Sequence, residues 1–381
     1  MKVCLVGPAH PYRGGIAHFT SLLAKEFSRE HDVSVINFKR LYPSFLFPGK
    51  TQFDDSAAPL QVEAERRIDS LNPWTYFTSA RAIARRKPDM VVFQWWQPFF
   101  AFAYASMSFL LRRMTKAKIV FLCHNVLPHE ASVFDRILIR IGLSGADAFL
   151  VQSREDEKNL RRLKGDVTAA INPHPIYDVF KRGIITREDA RDRLHLNGRV
   201  LLFFGYIRAY KGLTILLEAF AKSLEQIEST LLIVGEFYED PDQYTSLMDR
   251  LSIRDRIILV DRYVPNEDVE MYFAACDLVV LPYLSATQSG IVQISYGFGK
   301  PVIVTRVGGL PDVVDHGATG YVVPPGDPAA FADAIIDFFR EDNTAVFEKN
   351  IEAAKGKFSW KRCVETLLAL GASGQDRAKT K

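Results

Sequence analysis

Val200-Leu201-Leu202-Phe203-Phe204-Gly205-Tyr206-Ile207-Arg208-Ala209-Tyr210-Lys211-Gly212-Leu213 reads as a strand, a turn and the opening of a helix. Five apolar residues stopped by a glycine suit a buried strand. The helix that follows, Leu213–Ala221, carries Leu216, Leu217 and Phe220 at helical spacing. The same unit recurs along the chain. In the first half the short apolar runs are Val3–Val6, Val33–Phe38, Met90–Phe93, Ile119–Cys123 and Phe149–Val151. In the second half they are Val200–Phe204, Leu231–Val234, Ile257–Val260, Leu278–Leu281, Val302–Thr305 and Tyr321–Val323. Runs that are apolar throughout, not alternating, belong to parallel sheets covered on both faces. Strands alternating with helices imply right-handed crossovers. The predicted class is α/β, with two Rossmann-like doubly wound domains facing a cleft.

At 381 residues the chain exceeds what one core usually organises. Asn172-Pro173-His174-Pro175 interrupts the pattern near the middle, since paired prolines favour extended chain. The charged stretch Lys181–Asp192 beyond it reads as a surface helix start. The predicted domains are therefore 1–177 and 178–357, with a disordered tail over 372–381. Hydrophobic residues at 48% and charged residues at 24% are ordinary for a globular protein. A net charge of +3 implies no nucleic-acid partner. Cys4, Cys123, Cys276 and Cys363 form no C-x-x-C pair and read as buried thiols of a reducing compartment. The opening apolar run is too short for a signal peptide, so the expected location is cytoplasmic.

Val91–Leu111 is apolar enough to raise the question of a membrane span. Gln94, Gln97 and Pro98 break it into strand, turn and helix. Arg81, Arg85, Arg86 and Lys87 precede it, and Arg112, Arg113, Lys116 and Lys118 follow. Cations beside apolar surface suit peripheral contact with the inner face of the cytoplasmic membrane; solvated helix ends are the alternative.

Two loops carry the chemistry. After the first strand, Gly7-Pro8-Ala9-His10-Pro11-Tyr12-Arg13-Gly14-Gly15 opens a helix. Gly14 and Gly15 let a ligand approach the backbone, and a helix N-terminus favours an anion. The spacing is neither the dinucleotide fingerprint nor a phosphate-binding Walker loop. After Phe204, Arg208 and Lys211 stand at a sheet's C-terminal edge, where α/β proteins bind ligands. The helix dipole there disfavours cations unless an anion is seated between them. A guanidinium fork, an ammonium and free N–H groups make a diphosphate clamp; surface charge on a loop is the alternative.

This segment resembles the Arg-x-x-Lys-Gly signature of family 4 (group 1) retaining glycosyltransferases. The likeness extends through the opening glycine loop, His124, Val234-Gly235-Glu236, Gly299-Lys300-Pro301, Gly308-Gly309-Leu310-Pro311 and Phe358-Ser359-Trp360. It implies a GT-B fold, with the nucleotide-diphosphate sugar on the C-terminal domain and the acceptor on the N-terminal one. It also implies a last helix, over 358–371, crossing back to the first domain. His124 matches the histidine set against the donor sugar; a strand-end histidine with a local partner is the alternative. Arg208, Lys211 and His124 are thus the candidate catalytic residues, with no metal or other cofactor. His129 and Glu130 are assigned to the acceptor side. Glu236 either accepts from a donor hydroxyl or caps its turn, and Tyr263 either frames the base or is a surface aromatic. Asp240-Pro241-Asp242 mimics a metal motif of another fold.

One stretch departs from the family. Its two glutamates, counted back from Gly299-Lys300-Pro301, fall on Ala286 and Ile294, and a T-Q-S-G loop stands in their place. Thr287, Gln288, Ser289, Gly290 and Ile291 are expected to hold phosphate oxygens through backbone N–H groups. Gln293 is the nearest polar substitute for a ribose-binding carboxylate.

The implied reaction moves a sugar to a hydroxyl of a glycan or lipid-linked glycan in cell-surface polysaccharide synthesis, with retention of configuration. The aromatic stretch Leu41-Tyr42-Pro43-Ser44-Phe45-Leu46-Phe47-Pro48, with Trp95 and Trp96, hints at an apolar or lipid-linked acceptor, against a buried-core explanation. The alternatives are a non-catalytic scaffold on a degenerate GT-B fold and a nucleotide-sugar 2-epimerase. A nicotinamide dehydrogenase is a third, disfavoured because both glycine fingerprints are missing.

Overall fold

The computed structural model describes residues 1–43, 47, 49–127 and 132–372. The chain divides into two compact units. Unit 1 comprises Met1–Asp55, Pro59–Pro173 and the C-terminal stretch from Ser359; unit 2 comprises His174–Phe358 and the short segment Ser56–Ala58. The division falls at Pro173/His174, inside the proline pair, and the tail beyond 372 lies outside the described residues.

Unit 1 is built on seven parallel strands: β1 (Lys2–Val6), β2 (Asp32–Arg40), β3 (Glu65–Asp69), β4 (Met90–Trp95), β5 (Lys118–Cys123), β6 (Ala148–Val151) and β7 (Ala169–Ile171). Their order is β3-β2-β1-β4-β5-β6-β7. Unit 2 has six parallel strands: β8 (Arg199–Phe204), β9 (Ser229–Val234), β10 (Ile257–Val260), β11 (Leu278–Leu281), β12 (Val302–Thr305) and β13 (Gly320–Val323). Their order is β10-β9-β8-β11-β12-β13. Both sheets run outward from their first strand in both directions, which is the doubly wound topology expected from the alternating pattern. The central strands are buried on both faces, so their apolar runs are continuous.

Two strands lack that signature. β3 reads Glu-Arg-Arg-Ile-Asp and β7 Ala-Ala-Ile; each closes one edge of the sheet, half open to solvent. An edge strand needs no apolar run on both faces, so hydrophobicity does not mark it.

In unit 1, helices α2 (Pro73–Arg85), α3 (Ala101–Met114) and α4 (Val133–Gly142) follow β3, β4 and β5 and cover one face of the sheet. On the other face, α1 (Gly15–Phe27) and the last helix, α13 (Trp360–Ala372), share a core. Phe19, Leu23 and Phe27 meet Cys363, Val364, Leu367 and Leu370 there. The apolar run at Val91–Leu111 resolves into β4, a 3-10 turn at Pro98–Phe100 and α3. Among the described residues no helix is long and apolar enough to cross a membrane. Trp95 is fully buried, and Tyr42 and Trp96 pack against the same core. The hint of an acceptor surface at Trp95 therefore gives way to a packing role. All four cysteines are buried free thiols.

Candidate active site

In unit 2 the winding direction changes between β8 and β11, and the loops leaving these neighbours diverge to opposite faces. A crevice opens at such a point at the carboxyl edge of a sheet. The β8 loop begins at Gly205, whose φ of +103° only glycine adopts without strain. It passes through a short 3-10 turn, Ala209–Lys211, into α7 (Leu213–Ser223). A Cβ on Gly212 would stand 2.1 Å from the carbonyl oxygen of Pro282, so the β8 and β11 loops touch backbone to backbone. Gly235, after β9, is similarly constrained: a Cβ there would lie 2.0 Å from the Gly205 oxygen.

Lys211 is buried, with its Nζ directly over Gly205. A Cβ built on Gly205 would be 3.0 Å from that nitrogen and 3.5 Å from Ile291 Cδ1. The ring of Tyr283 is 5.4 Å from Nζ. Burial, then the Arg208 guanidinium, pushes the lysine down from the ordinary range to about 8. Arg208 sets its guanidinium 4.8 Å from the ring centre of Tyr238. Tyr238 lies 4.5 Å from Tyr206, and Tyr206 stacks on Tyr263 at 6.2 Å. Among the described residues neither Arg208 nor Lys211 enters an ion pair. Glu239, in the neighbouring loop, accepts from the Ala209 N–H at 2.9 Å and from the Tyr244 hydroxyl.

The T-Q-S-G loop opens α10 (Gly290–Gly297) on the other side of the crevice. Ser289 caps the helix, its Oγ accepting the Ile291 N–H at 3.2 Å, with the Tyr283 hydroxyl 3.4 Å away. The Gly309 N–H donates to the Thr287 carbonyl at 2.8 Å. Gly308, at φ +52°, has no room for a side chain: a Cβ would fall 1.7 Å from the Ala286 oxygen. Gly308-Gly309 thus brace the loop from beneath. Ala286 and Ile294, at the positions of the family's glutamates, are buried apolar groups. Gln293 is buried beside them, and its Oε1 has no hydrogen-bond partner among the described residues; Gln288 Oε1 has none either. A buried acceptor left open costs about 1–3 kcal/mol, so an oxygen in that state suits a donor hydroxyl on a ligand. Glu236 is buried after β9, its carbonyl accepting the Ile207 N–H at 3.0 Å.

Unit 1 holds the other predicted residues. Gly14, at φ +103°, caps α1 with no side-chain bond, and Gly15 follows, exposed and with open space where a Cβ would sit. His124 ends β5 and is buried. Its Nε2 lies 2.7 Å from Gln94 Oε1, its Nδ1 3.4 Å from Gln152 Nε2, and its ring packs edge-on to Phe19 at 4.6 Å. Both ring nitrogens thus face glutamine side chains of neighbouring strand ends. Asp156 holds the loop after β5 by accepting the Val126 N–H at 3.0 Å and the Ser153 hydroxyl at 2.9 Å. His129 and Glu130 lie outside the described residues.

Arg208, Lys211, Ser289 and Ile291 therefore converge at one point of unit 2, and Tyr263 joins Arg208 through Tyr238 and Tyr206. Sequence reasoning passed over Tyr206 and Tyr238, although they follow two adjacent strands by two and four residues. It also passed over Gly205, whose signal was a glycine ending an apolar run.

Two parallel α/β units, each doubly wound, with paired cations at a helix start, define the GT-B class of fold. Nearly all of the chain aligns with solved structures of that class. One is the Anabaena protein Alr3699/HepE in complex with UDP, at TM-score 0.73 and 19% identity over 97% of this chain and all of that one. Another is a glycosyltransferase from Rickettsia africae ESF-5, at TM-score 0.73 and 19% identity over 98% of each chain.

The model for group 1 glycosyl transferases matches residues 198–341, and that for glycosyltransferase family 4 matches residues 13–176. The chain belongs to this family. Among curated relatives, D-inositol 3-phosphate glycosyltransferase 1 of Catenulispora acidiphila is 30% identical over 60% of this chain and 57% of its own length. N-acetyl-alpha-D-glucosaminyl L-malate synthase of Bacillus anthracis is 28% identical over 64% of each. The chain thus spans about 57% of the length of the first of these relatives.

Proposed function

We propose that the protein transfers a sugar from a nucleotide-diphosphate donor to a hydroxyl of a glycan or lipid-linked glycan, with retention of configuration, in cell-surface polysaccharide synthesis. The observation that carries this reading is the pair Arg208 and Lys211. Among the described residues the two cations stand at a helix start with no carboxylate paired to them, and one is buried over a glycine. Such an arrangement is electrostatically unfavourable until a polyanion is seated in it.

In this reading the bond from the anomeric carbon to the diphosphate oxygen breaks, and the acceptor oxygen takes its place on that carbon. The acceptor's proton is released, and the nucleoside diphosphate leaves with the bonding pair. Arg208, Lys211 and the first N–H groups of α7 and α10 stabilise that departing charge. This is catalysis by groups aimed where charge develops, and it needs no metal. Gln293 Oε1 would accept from a ribose hydroxyl in place of the family's glutamate, and the tyrosines beside Arg208 would face the base. His124 would orient the donor sugar, and His129 and Glu130 would serve the acceptor. Cytoplasmic donor pools and contact with the inner membrane face complete the proposal.

The test is a panel of UDP-, GDP- and ADP-sugars, read by thermal shift and by release of nucleoside diphosphate. Stabilisation by one nucleotide class, with turnover reduced ~10²–10³-fold in Lys211→Ala, is the expected result. No shift with any of them would favour a scaffold on a degenerate fold.

A further inference from the structure

The face of α2, α3 and α4 turned away from the sheet breaks the usual burial rule. A helix packed on a sheet turns its apolar stripe inward. In α4 the inward residues are few, chiefly Ile139 and Gly142, and a second stripe points outward: Val133 is 76% exposed and Phe134 66%, with Ile137 and Ile141 continuing at helical spacing. The helix is held in shape by its own capping box, Ser132 with Asp135. On α3, Phe102 and Phe109 are exposed, and the Arg113 guanidinium lies 3.6 Å above the Phe109 ring. On α2, Trp74 is 69% exposed. The three helices together carry six arginines and a single carboxylate, Asp135, which is spent on the cap; Arg112 is paired with Asp147 and the Arg140 guanidinium donates to the Leu163 carbonyl, which leaves Arg81, Arg85, Arg113 and Arg136.

Beside Trp74 is an open cavity of about 480 Å³ whose walls include Arg67, Phe77, Arg81, Arg85 and Arg86. Glu65 pairs with Arg67 and Arg86. Arg81 and Arg85 have no carboxylate partner among the described residues. Guanidinium groups around an aromatic floor suit a phosphate ester on an amphiphile.

We infer that this face of unit 1 docks on an anionic phospholipid bilayer. Val133, Phe134, Ile137, Phe102 and Phe109 enter the acyl boundary, and Arg113 and Arg136 meet headgroup phosphates. Arg81 and Arg85 take a headgroup into the cavity. Charge decides the occupant. A second copy of the same face would set arginines against arginines, whereas an anionic lipid surface complements them. The inference deepens the membrane contact of the proposed function and rests on it only for the location, because its chemistry is separate from that of the donor site.

The full chain should co-sediment with vesicles of equimolar phosphatidylcholine and phosphatidylglycerol, and far less with phosphatidylcholine alone. Phe134→Ser with Ile137→Ser should abolish binding to both. Arg81→Gln with Arg85→Gln should weaken binding to the anionic vesicles about fivefold per arginine at low salt, the ratio that about 1 kcal/mol represents. Nucleoside diphosphate release from the donor, measured in parallel, should be unchanged in these variants, so a silent donor site and a missing membrane face are separate results. Equal binding to the two vesicle types, anionic binding undiminished in Phe134→Ser/Ile137→Ser, or a stable dimer that loses its contact in that variant would each overturn the assignment.

Discussion

Lys211 carries its charge against its surroundings. Burial and the nearby Arg208 lower it to about 8, below the 10.5 of an exposed lysine. Between those two values the unfolded chain binds a proton that the folded chain has lost, so stability should rise with pH across that window. Below about 8 both states are charged and the folded state bears the full cost. A seated diphosphate would reverse the sign by favouring the ammonium. Nucleoside diphosphate binding near pH 8 should therefore take up protons, and affinity should fall as pH rises further. Calorimetric titration in two buffers of unequal ionisation enthalpy measures that uptake, which should vanish in Lys211→Ala. The cations were legible at this scale because charge at a helix start contradicts the dipole. Gln293 was legible only as a gap in a family pattern. Its orphaned oxygen is a property of packing, which no sequence displays.

At the scale of elements, the site is a set of backbone close approaches. Gly205 meets Lys211 within the β8 loop, Gly212 joins that loop to Pro282 of the β11 loop, and Gly308, after β12, braces Ala286 of the β11 loop. Gly308→Ala should displace the Thr287–Ser289 loop and strain a left-handed position, at about 1–3 kcal/mol. A urea titration should show the lost stability, and the nucleotide-induced thermal shift should shrink with it. Gly205→Ala should move the ammonium and lower turnover more than stability. The central strands were readable from apolar runs with turn signals, because burial on both faces leaves no other composition open to them. β3 and β7 were not, since an edge strand exposes half of its surface and resembles a polar loop. The tyrosines beside Arg208 escaped for a related reason: adjacency of loops after β8 and β9 follows from strand order, not from sequence distance.

At the scale of the molecule, the chain leaves unit 1 at Pro173 and re-enters it at Ser359. α13 then completes the core around Phe19 and Leu23, so unit 1 is not contiguous in sequence. Leu367, fully buried there, should cost about 2–5 kcal/mol as Leu367→Ala, read by urea unfolding. A chain cut before Ser359 should expose that core and lose solubility. The crossing helix was readable through family likeness alone; its apolar spacing by itself fits any surface helix.

The proposed donor site depends on Arg208 and Lys211 seating a nucleoside diphosphate. Titrating UDP, GDP and ADP calorimetrically into the wild-type chain and into Arg208→Ala/Lys211→Ala measures it most directly. Saturable binding of one of the three by the wild type is expected, with at least ~10-fold weaker binding by the double variant, since each charge-assisted contact is worth about 1.5–3 kcal/mol. Equal affinity in both proteins would contradict it.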